Sequence, residues 1–284
     1  MKSKLNYKRT AIALLVASSA LALQACGGGD GDGGGTAGSP SDAGVASTSG
    51  SPAAPNGGNT GSVSAQFKAA KAPRFNLLSA SLQSFGRLDA FTQEASGAVT
   101  RISDTTLSGQ TVVRDINGNE SFALGRWMAG TVTSKSGAKT LTGRDDESYH
   151  YVLYNAADAL PTSGTLACDS GAFTTPSRDS GPGSAASTGS ASGHASLSFA
   201  EEGATVAGAI DVSAGGAGGT ASLNVSGLDA TSSRITGSFF SNGGAGASVA
   251  LADAGGGAFE VVGSYRAKTP NGAGYIGVYR FVCK

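Results

Sequence analysis

The chain has 284 residues, of which 45 are glycine, and its 20 Lys and Arg balance 20 Asp and Glu. Such a composition is poor for helices and suits short strands, tight turns and flexible segments. Residues 1–25 hold four basic residues and no acidic one, so the rest of the chain has a net charge of −4. This balance argues against nucleic acid or an anionic membrane surface as the partner.

The first 26 residues have the layout of a secretion signal. Four basic residues within the first nine precede an apolar stretch over residues 11–23, and Ala25 stands directly before Cys26. The apolar stretch is shorter than the roughly 20 residues that a helix needs to cross ~30 Å of hydrocarbon. We therefore expect residues 1–25 to be a cleaved signal peptide and not a membrane span.

Residues 23–26, which end in Cys26, resemble the lipobox of bacterial lipoproteins, with Gln24 where that motif usually has Ala, Ser or Thr. The resemblance implies cleavage before Cys26, a diacylglycerol on its sulfur and an acyl chain on the new amino group. Two or more buried chains make such attachment stable. Gly27 follows instead of the Asp that retains many lipoproteins in the inner membrane, so we expect the outer membrane. The alternative is an ordinary signal peptide with a chance cysteine.

Residues 27–64 consist almost entirely of Gly, Ser, Ala, Thr, Asp, Asn and Pro. Such a segment buries too little apolar surface to offset the entropy of ordering, so we expect residues 26–64 to form a lipidated, flexible tether. A tether of this kind has a mean span of roughly 30–35 Å. It would hold the folded part clear of the lipid headgroups.

A small β-rich region is predicted over residues 65–158. Residues 75–92 are mixed and fit either a short helix or a strand. Two alternating runs, 111–116 and 120–124, are separated by Asn117-Gly118, which favours a hairpin turn because both central residues need positive φ. Further strand patterns follow over residues 125–132 and 149–154.

The last region, residues 159–284, alternates regularly between apolar and small polar residues. The pattern predicts eight strands in up-and-down order, the first over residues 165–168 and the last over residues 275–283. Eight strands suffice to close a barrel whose interior is just filled by side chains. The apolar face would point inward, unlike that of a membrane-embedded barrel. The predicted fold class is all-β, an eight-stranded antiparallel barrel after a smaller β-rich region.

Three cysteines occur in the chain. With Cys26 assigned to lipid, Cys168 and Cys283 remain as an even pair in an oxidising compartment, where a disulfide is expected. They lie on the first and last predicted strands, which barrel closure would set side by side. On the chain-entropy model the disulfide would contribute roughly 4–5 kcal/mol. A free thiol or a metal pair is the alternative, although no His–Cys spacing supports zinc.

Few residues point to catalysis. His194 is predicted to lie in a Ser/Gly-rich turn and to be solvated. His150 stands between Tyr149 and Tyr151, where a structural role is expected and a haem or metal contact shared with a neighbouring tyrosine is the alternative.

Two further motifs are better explained without a catalytic or metal-binding role. Ser136 and Lys139 match Ser-x-x-Lys, but the companion motifs of that chemistry are absent from the sequence. The acidic residues 145–147 fit a solvated loop better than a calcium site. We predict no enzyme activity, no metal and no cofactor beyond the covalent lipid on Cys26.

Several segments of residues 120–284 resemble the small lipoproteins built on the transferrin-binding protein B β-barrel. Residues 160–165 resemble the entry to its first strand, with His150-Tyr151 and Gly125-Arg126-Trp127 before them. Residues 258–265 are similar to its Ala-x-Glu-x-Gly-Gly-x-Phe/Tyr signature, with Val262 replacing the first glycine. Residues 276–279 resemble its closing strand.

Three departures accompany this resemblance, of which one is a first region far shorter than the handle domain with which the family's large receptors bind transferrin. Cys168 stands where the family has a tyrosine on the first strand, and residues 238–241 replace a Phe-Tyr-Gly motif. The resemblance implies an outer-membrane lipoprotein that binds a solute or a protein, since relatives capture host iron proteins, haem or complement regulators. The ligand is not carried over, because variable loops determine it.

We therefore expect a monomeric, non-catalytic binding lipoprotein of the outer membrane that takes a host protein, an iron carrier or a haem-type ligand. Tyr149, His150 and Tyr151 are the candidate ligand contacts. A purely structural envelope lipoprotein and an exported hydrolase are the alternatives.

Overall fold

The computed structural model describes residues 57–182, 189–240 and 244–284, so the predicted signal peptide, Cys26 and most of the predicted tether lie outside the described residues. The described residues form two β-sheets, the first of nine strands and the second of eleven. The first sheet contains β1 (Gly61–Val63), β2 (Pro73–Leu78), β3 (Gln83–Arg87), β4 (Phe91–Gln93), β5 (Val99–Ile102), β6 (Thr105–Gly118), β7 (Phe122–Ser134), β8 (Gly137–Thr142) and β9 (Tyr149–Asn155).

The strands of the first sheet lie in the order β3-β2-β9-β7-β6-β5-β4, with β8 beside β7 and β1 beside β6. β1 pairs in parallel with β6 and belongs to the last residues of the predicted tether. Asn59 helps to hold this segment, because its Oδ1 accepts a hydrogen bond of 2.8 Å from the backbone N–H of Val113. Backbone pairing of this kind needs no apolar side chains, so residues 61–63 can form a strand although their composition resembles that of a tether.

The hairpin between β6 and β7 exists as expected, but its turn is displaced. Asn117 and Gly118 lie inside β6, whereas Asn119 closes the turn by accepting a hydrogen bond of 2.8 Å from the backbone N–H of Ser121. Gly118 is needed for close packing, since a Cβ there would lie 2.7 Å from the carbonyl oxygen of Phe122. The prediction of an Asn117-Gly118 turn was therefore wrong in position.

Trp127 is the centre of the core of the first sheet. Its Nε1 donates a hydrogen bond of 2.6 Å to the carbonyl oxygen of Val99, whose own N–H donates to the hydroxyl of Tyr151 at 3.2 Å. Gly125 makes room for this arrangement, because a Cβ there would lie 2.4 Å from the Tyr151 hydroxyl. Burial of these two aromatic rings supplies a large share of the apolar area of the core.

The second sheet contains β10 (Gly164–Ala167), β11 (Ala172–Phe173), β12 (Ser177–Ser180), β13 (Gly189–Ala200), β14 (Gly203–Ala214), β15 (Ala217–Ser222), β16 (Val225–Leu228), β17 (Ser233–Ile235), β18 (Gly246–Gly255), β19 (Ala258–Lys268) and β20 (Gly274–Cys283). Its main path is β10-β13-β14-β15-β19-β18-β17, and β20 pairs with β19, β11 and β12. The all-β prediction is confirmed.

The eight-stranded up-and-down barrel is not confirmed in its predicted form. β14 pairs with β15 along one part and with β16 along another, and β15 joins β19 through the single pair Thr220–Lys268. β11 and β12 add to β20, which the alternation did not predict. The sheet nevertheless curls far enough to bring its first and last strands together, since Cys168 and Cys283 form an antiparallel bridge.

The predicted disulfide is present. The sulfur atoms of Cys168 and Cys283 are bonded, and the two residues lie 115 positions apart in the chain. Backbone hydrogen bonds flank the bond, from Lys284 N to Ala167 O at 3.1 Å and from Asp169 N to Val282 O at 2.8 Å.

The inward face of the second sheet follows the alternation of the sequence. Residues predicted to share a face, such as Val206, Ile210 and Val212 on β14, are all buried in one apolar cluster with Tyr265 and Phe281. The domain boundary predicted near residue 158 stays a prediction, although β9 ends at Asn155 and β10 begins at Gly164.

β9 joins the two sheets, and all seven of its residues are buried. Tyr151 and Leu153 point into the core of the first sheet. Val152 and Tyr154 alternate with them and contact Val278 and the β18–β19 pair of the second sheet, respectively. Because both faces of β9 are covered, its sequence is a continuous run of large residues and does not alternate with small polar ones.

Candidate functional site

The sequence-predicted contacts Tyr149, His150 and Tyr151 lie at the junction of the two sheets and are 5%, 0% and 0% exposed. The ring of Tyr149 stacks on Trp127 with centroids 6.2 Å apart, and Tyr151 packs against the same indole. His150 faces the opposite way, toward the second sheet. None of the three side chains is accessible to a ligand in this structure.

His150 is held by hydroxyl groups. Its Nδ1 lies 2.7 Å from Thr174 Oγ1 and its Nε2 lies 3.4 Å from Ser148 Oγ. Thr174 Oγ1 also accepts a hydrogen bond of 3.1 Å from the N–H of Val278, which leaves its own hydrogen free to donate to the ring. Burial, and secondly the charge of Arg126, lower the pKa of His150 well below its ordinary value. The ring is therefore neutral at pH 7.

Arg126 forms a nearly buried ionic cluster beside this histidine. Its side chain is 3% exposed, and it donates to Asp115 Oδ2 at 3.0 Å and to Asp145 Oδ1 at 2.6 Å. Asp115 has a φ of +57°, which few residues other than Gly, Asn and Asp adopt, and it also accepts a hydrogen bond of 2.8 Å from Thr175 N. The loop before β12 is thereby fastened to the first sheet.

Glu260 is the centre of a second cluster between the sheets. Its carboxylate is fully buried, and Oε1 accepts hydrogen bonds from Ser121 Oγ at 2.7 Å and from Arg280 Nη2 at 2.9 Å. The guanidinium of Arg280 lies 4.1 Å from the ring centroid of Phe122, a cation–π contact across the junction. Burial raises the pKa of Glu260, against the opposing effect of the Arg280 charge. We name these four residues the Glu260 cluster.

A third buried ion pair lies below the loop that follows β17. Arg266 Nε is 2.6 Å from Asp179 Oδ2, with side-chain exposures of 6% and 4%. The same guanidinium donates to the carbonyl oxygen of Phe239 at 2.6 Å. Phe239 itself is buried against Leu78 and Ile276. Arg266 therefore holds the backbone at Phe239, and Phe240 is the next residue in the chain.

That next residue, Phe240, is 55% exposed, and Phe85 on β3 is 44% exposed. Their rings are stacked with centroids 6.2 Å apart and an interplanar angle of 28°. Phe85 belongs to the first sheet and Phe240 to the loop between β17 and β18 of the second, so they form one aromatic surface across the junction. We name Phe85 and Phe240 the aromatic pair.

Beside the aromatic pair lies a pocket of about 120 Å³, which Lys71, Arg74, Arg87 and Thr231 line in part. Arg74 donates a hydrogen bond to the carbonyl oxygen of Thr231. The carboxylate nearest to Arg87 is that of Asp89, at 3.9 Å, and both side chains are 78% exposed. An ion pair so exposed contributes little. We name this pocket the basic notch.

The remaining candidates from the sequence have ordinary surroundings. His194 is exposed as expected, but it lies within strand β13, so the predicted turn there is wrong. Lys139 lies over the ring of Tyr149, with Nζ 5.7 Å from the centroid, while Ser136 bonds to Ser134 at 2.8 Å. The acidic trio is engaged with Arg126, Arg144 and Thr142, as the following contacts show: Asp145–Arg126 at 2.6 Å, Asp146–Arg144 at 2.9 Å and Glu147–Thr142 at 2.7 Å.

Within the described ranges, no group of three or more His, Cys, Asp and Glu side chains is placed to hold a metal ion. No helix in those ranges is long and apolar enough to cross a membrane.

Sequence reasoning missed the aromatic pair, the basic notch and the Glu260 cluster. The sequence placed Phe239 on a strand, but Phe239 and Phe240 lie in the loop after β17, so strand alternation gave no signal for Phe240. For Glu260 the alternation predicted an outward position, which is correct with respect to the second sheet. The first sheet covers that outward face.

Together these residues define an all-β protein of two sheets that buried ion pairs, hydrogen bonds and apolar clusters join. No model of a protein family matches the chain, and no curated protein matches its sequence. Among solved structures, the chain is similar to a mutant of transferrin binding protein B from Haemophilus parasuis, with 9% sequence identity and a TM-score of 0.28. The match covers 76% of this chain and 46% of that one, so it spans less than half of that protein's length.

Proposed function

We propose that the protein is a non-catalytic, lipid-anchored binding protein of the outer membrane, which acts as a monomer and takes a protein ligand. The leader and Cys26 support the anchor, and the tether supports display of the folded part at a distance from the lipid. The aromatic pair is the observation that supports binding.

Exposed aromatic side chains are unfavourable in water and are enriched where proteins bind one another. Phe85 and Phe240 stay at the surface although the residues beneath them, Leu78 and Phe239, are buried. The ring of Phe240 also packs edge-to-face on the buried ring of Phe239, with centroids 5.3 Å apart, and Arg266 holds the Phe239 carbonyl oxygen. A preorganised aromatic surface lowers the entropy cost of association.

The resemblance of residues 258–265 to the transferrin-binding protein B lipoproteins suggests an iron carrier or haem as the ligand. The burial of His150 favours the protein over haem, because an axial haem contact needs an accessible imidazole. A host iron-carrier protein is therefore the proposed ligand class.

The test uses the whole lipoprotein, purified in detergent and immobilised through its lipid. Iron-carrier proteins with and without metal, and haemin as a separate arm, are titrated over it. Saturable binding of a carrier protein supports the proposal, and its loss in a Phe85→Ser, Phe240→Ser double variant ties it to the aromatic pair. Ile235→Ser, at a third exposed apolar residue, is the matched control. Absence of saturable binding in every arm would favour a structural envelope lipoprotein instead.

The anchor is tested separately. Cys26→Ser should abolish incorporation of labelled palmitate and release the protein from the membrane fraction. Protease shaving of intact cells then distinguishes surface display from a periplasmic orientation. Unchanged membrane association of the Cys26→Ser protein would contradict the lipid anchor.

A further inference from the structure

β3 is an edge strand. Among the described residues it pairs only with β2, so its outer N–H and C=O groups have no partner strand. Such an edge can add an extended segment of another protein by backbone hydrogen bonds. Two of its five residues, Phe85 and Arg87, are exposed and alternate onto one face of the strand.

The same face holds an unfavourable pair of like charges. Arg74 on β2 stands directly opposite Arg87 on β3. Like charges in this position repel each other and destabilise the strand pair. The Thr231 carbonyl oxygen relieves Arg74 but supplies no negative charge, and the Asp89 carboxylate at 3.9 Å from Arg87 is too exposed to compensate that charge strongly. Lys71 brings a third cation to the notch. An incoming carboxylate would remove the repulsion and gain charge-assisted hydrogen bonds.

The spacing of these features defines the partner. Phe85 and Arg87 are two positions apart, which is the period of a strand, so an added strand would place two of its own alternate side chains against them. We propose that the β3 edge, the aromatic pair and the basic notch bind an extended segment of the protein ligand in which an apolar and an acidic side chain stand two residues apart. The inference rests on the proposed function and names the surface and chemistry of its ligand.

A lipid surface fits these residues less well than a protein does. Exposed aromatic rings beside cations also occur at membrane interfaces. However, the unpaired N–H and C=O groups of β3 would lie beside the rings in hydrocarbon, where unsatisfied backbone groups are costly. An extended peptide satisfies those groups and the cations together.

The test uses the full lipoprotein in detergent and two short synthetic peptides of identical composition. One has Leu and Glu two positions apart among threonines, and the other has them adjacent, so that they point to opposite faces. The spaced peptide should bind in a fluorescence anisotropy titration and should slow hydrogen exchange within Gln83–Arg87. Arg87→Gln should weaken it about tenfold, the equivalent of one charge-assisted hydrogen bond.

Arg101→Gln, at an exposed arginine on β5, is the matched control and should leave binding unchanged. Equal binding of both peptides, or protection outside β3, would overturn the inference. The inference would also be overturned if neither peptide bound and the protein instead bound vesicles of anionic phospholipid in a way that Arg87→Gln abolishes. If the carrier titration above saturates while both peptides fail, the proposed function stands and the β3 surface does not.

Discussion

The hydroxyl of Ser121 donates a hydrogen bond of 2.7 Å to Oε1 of Glu260, which lies 139 positions later in the chain. Glu260 belongs to the second sheet and Ser121 to the turn before β7 of the first. Arg280 and Phe122 extend the contact on either side of the junction. The Glu260 cluster therefore links the stability of one sheet to that of the other.

Truncation of Glu260 should be strongly destabilising. Glu260→Ala leaves Arg280, whose side chain is 12% exposed, without its counter-charge. Removal of one partner of a buried ion pair costs roughly 3–5 kcal/mol. Urea unfolding at pH 7 measures the loss of the free energy of unfolding.

Glu120→Ala is the matched control for that variant. Glu120 pairs with Lys68 at 2.6 Å, but the two side chains are 61% and 70% exposed. Exposed pairs contribute about 0–1 kcal/mol, so this variant should unfold almost like the wild type. Similar losses in the two variants would show that burial of the Glu260 cluster does not matter.

His150 should make the protein acid-sensitive. Burial and the Arg126 charge hold its pKa well below the ordinary value of 6.5, so in acid the unfolded chain takes up a proton that the folded chain does not. The free energy of unfolding should therefore fall as the pH drops below about 6.5, by at most about 1.4 kcal/mol per pH unit. His150→Asn should remove this slope between pH 5 and 7.

Glu260 acts in the opposite direction over part of that window. Its raised pKa means that the folded chain binds the proton more readily, so its contribution to stability falls as the pH rises above about 4.5. The comparison must therefore be between the slopes of the wild type and of His150→Asn, which share Glu260. His194→Asn, at an exposed ring, should keep the wild-type slope, and parallel slopes for all three proteins would refute the assignment to His150.

The inward face of the second sheet could be predicted from the sequence because its physical cause is local. Val206, Ile210 and Val212 alternate along one strand, and each is buried as the period of two requires. The cysteine pair was also predictable, since Cys168 and Cys283 lie on strands that curling of the sheet brings together. The order in which the strands pair could not be predicted, because β14 divides its pairing between β15 and β16.

The candidate site could not be predicted because its residues depend on contacts between distant segments. Phe85 lies in a stretch whose pattern was mixed, and its partner Phe240 comes from the loop between β17 and β18. The environment of Glu260 likewise depends on a sheet that covers it from far away in the chain. Alternation shows which side of a strand a residue occupies, but not whether a second layer covers that side.

Loss of the disulfide should weaken the whole fold. Cys283 is fully buried, and the bond closes a loop with a sequence separation of 115 residues. On the chain-entropy model such a loop contributes roughly 4–5 kcal/mol. The free energy of unfolding of the Cys168→Ser, Cys283→Ser double variant should be lower by about that amount, so the variant should unfold at a lower urea concentration. A reducing agent should change the unfolding of the wild type only.

The same disulfide has a direct chemical check. A non-reduced proteolytic digest should contain the peptides of Cys168 and Cys283 as one linked species. Both peptides found as free thiols would contradict the bond.

Gly118 and Asn119 should differ in how they affect the β6–β7 hairpin. Gly118→Ala introduces a Cβ 2.7 Å from the carbonyl oxygen of Phe122, so the strands must move apart. Overpacking of this kind costs about 1–3 kcal/mol. Asn119→Ala removes the acceptor for the backbone N–H groups of Ser121 and Phe122, at 2.8 and 3.3 Å, and should cost about 1–3 kcal/mol.

Asn117→Ala is the discriminating control, since an Asn-Gly turn at residues 117–118 would require the asparagine there. Asn117 is exposed inside β6, so its replacement should change the free energy of unfolding by no more than about 0.5 kcal/mol. Because the turn leads directly to Ser121, Asn119→Ala should also weaken the Glu260 cluster. The losses in free energy of unfolding of Asn119→Ala and Glu260→Ala should therefore not be additive in the double variant, because coupled neighbours deviate from additivity. If Asn117→Ala lowered the free energy of unfolding more than Asn119→Ala does, the turn would lie at residues 117–118 instead.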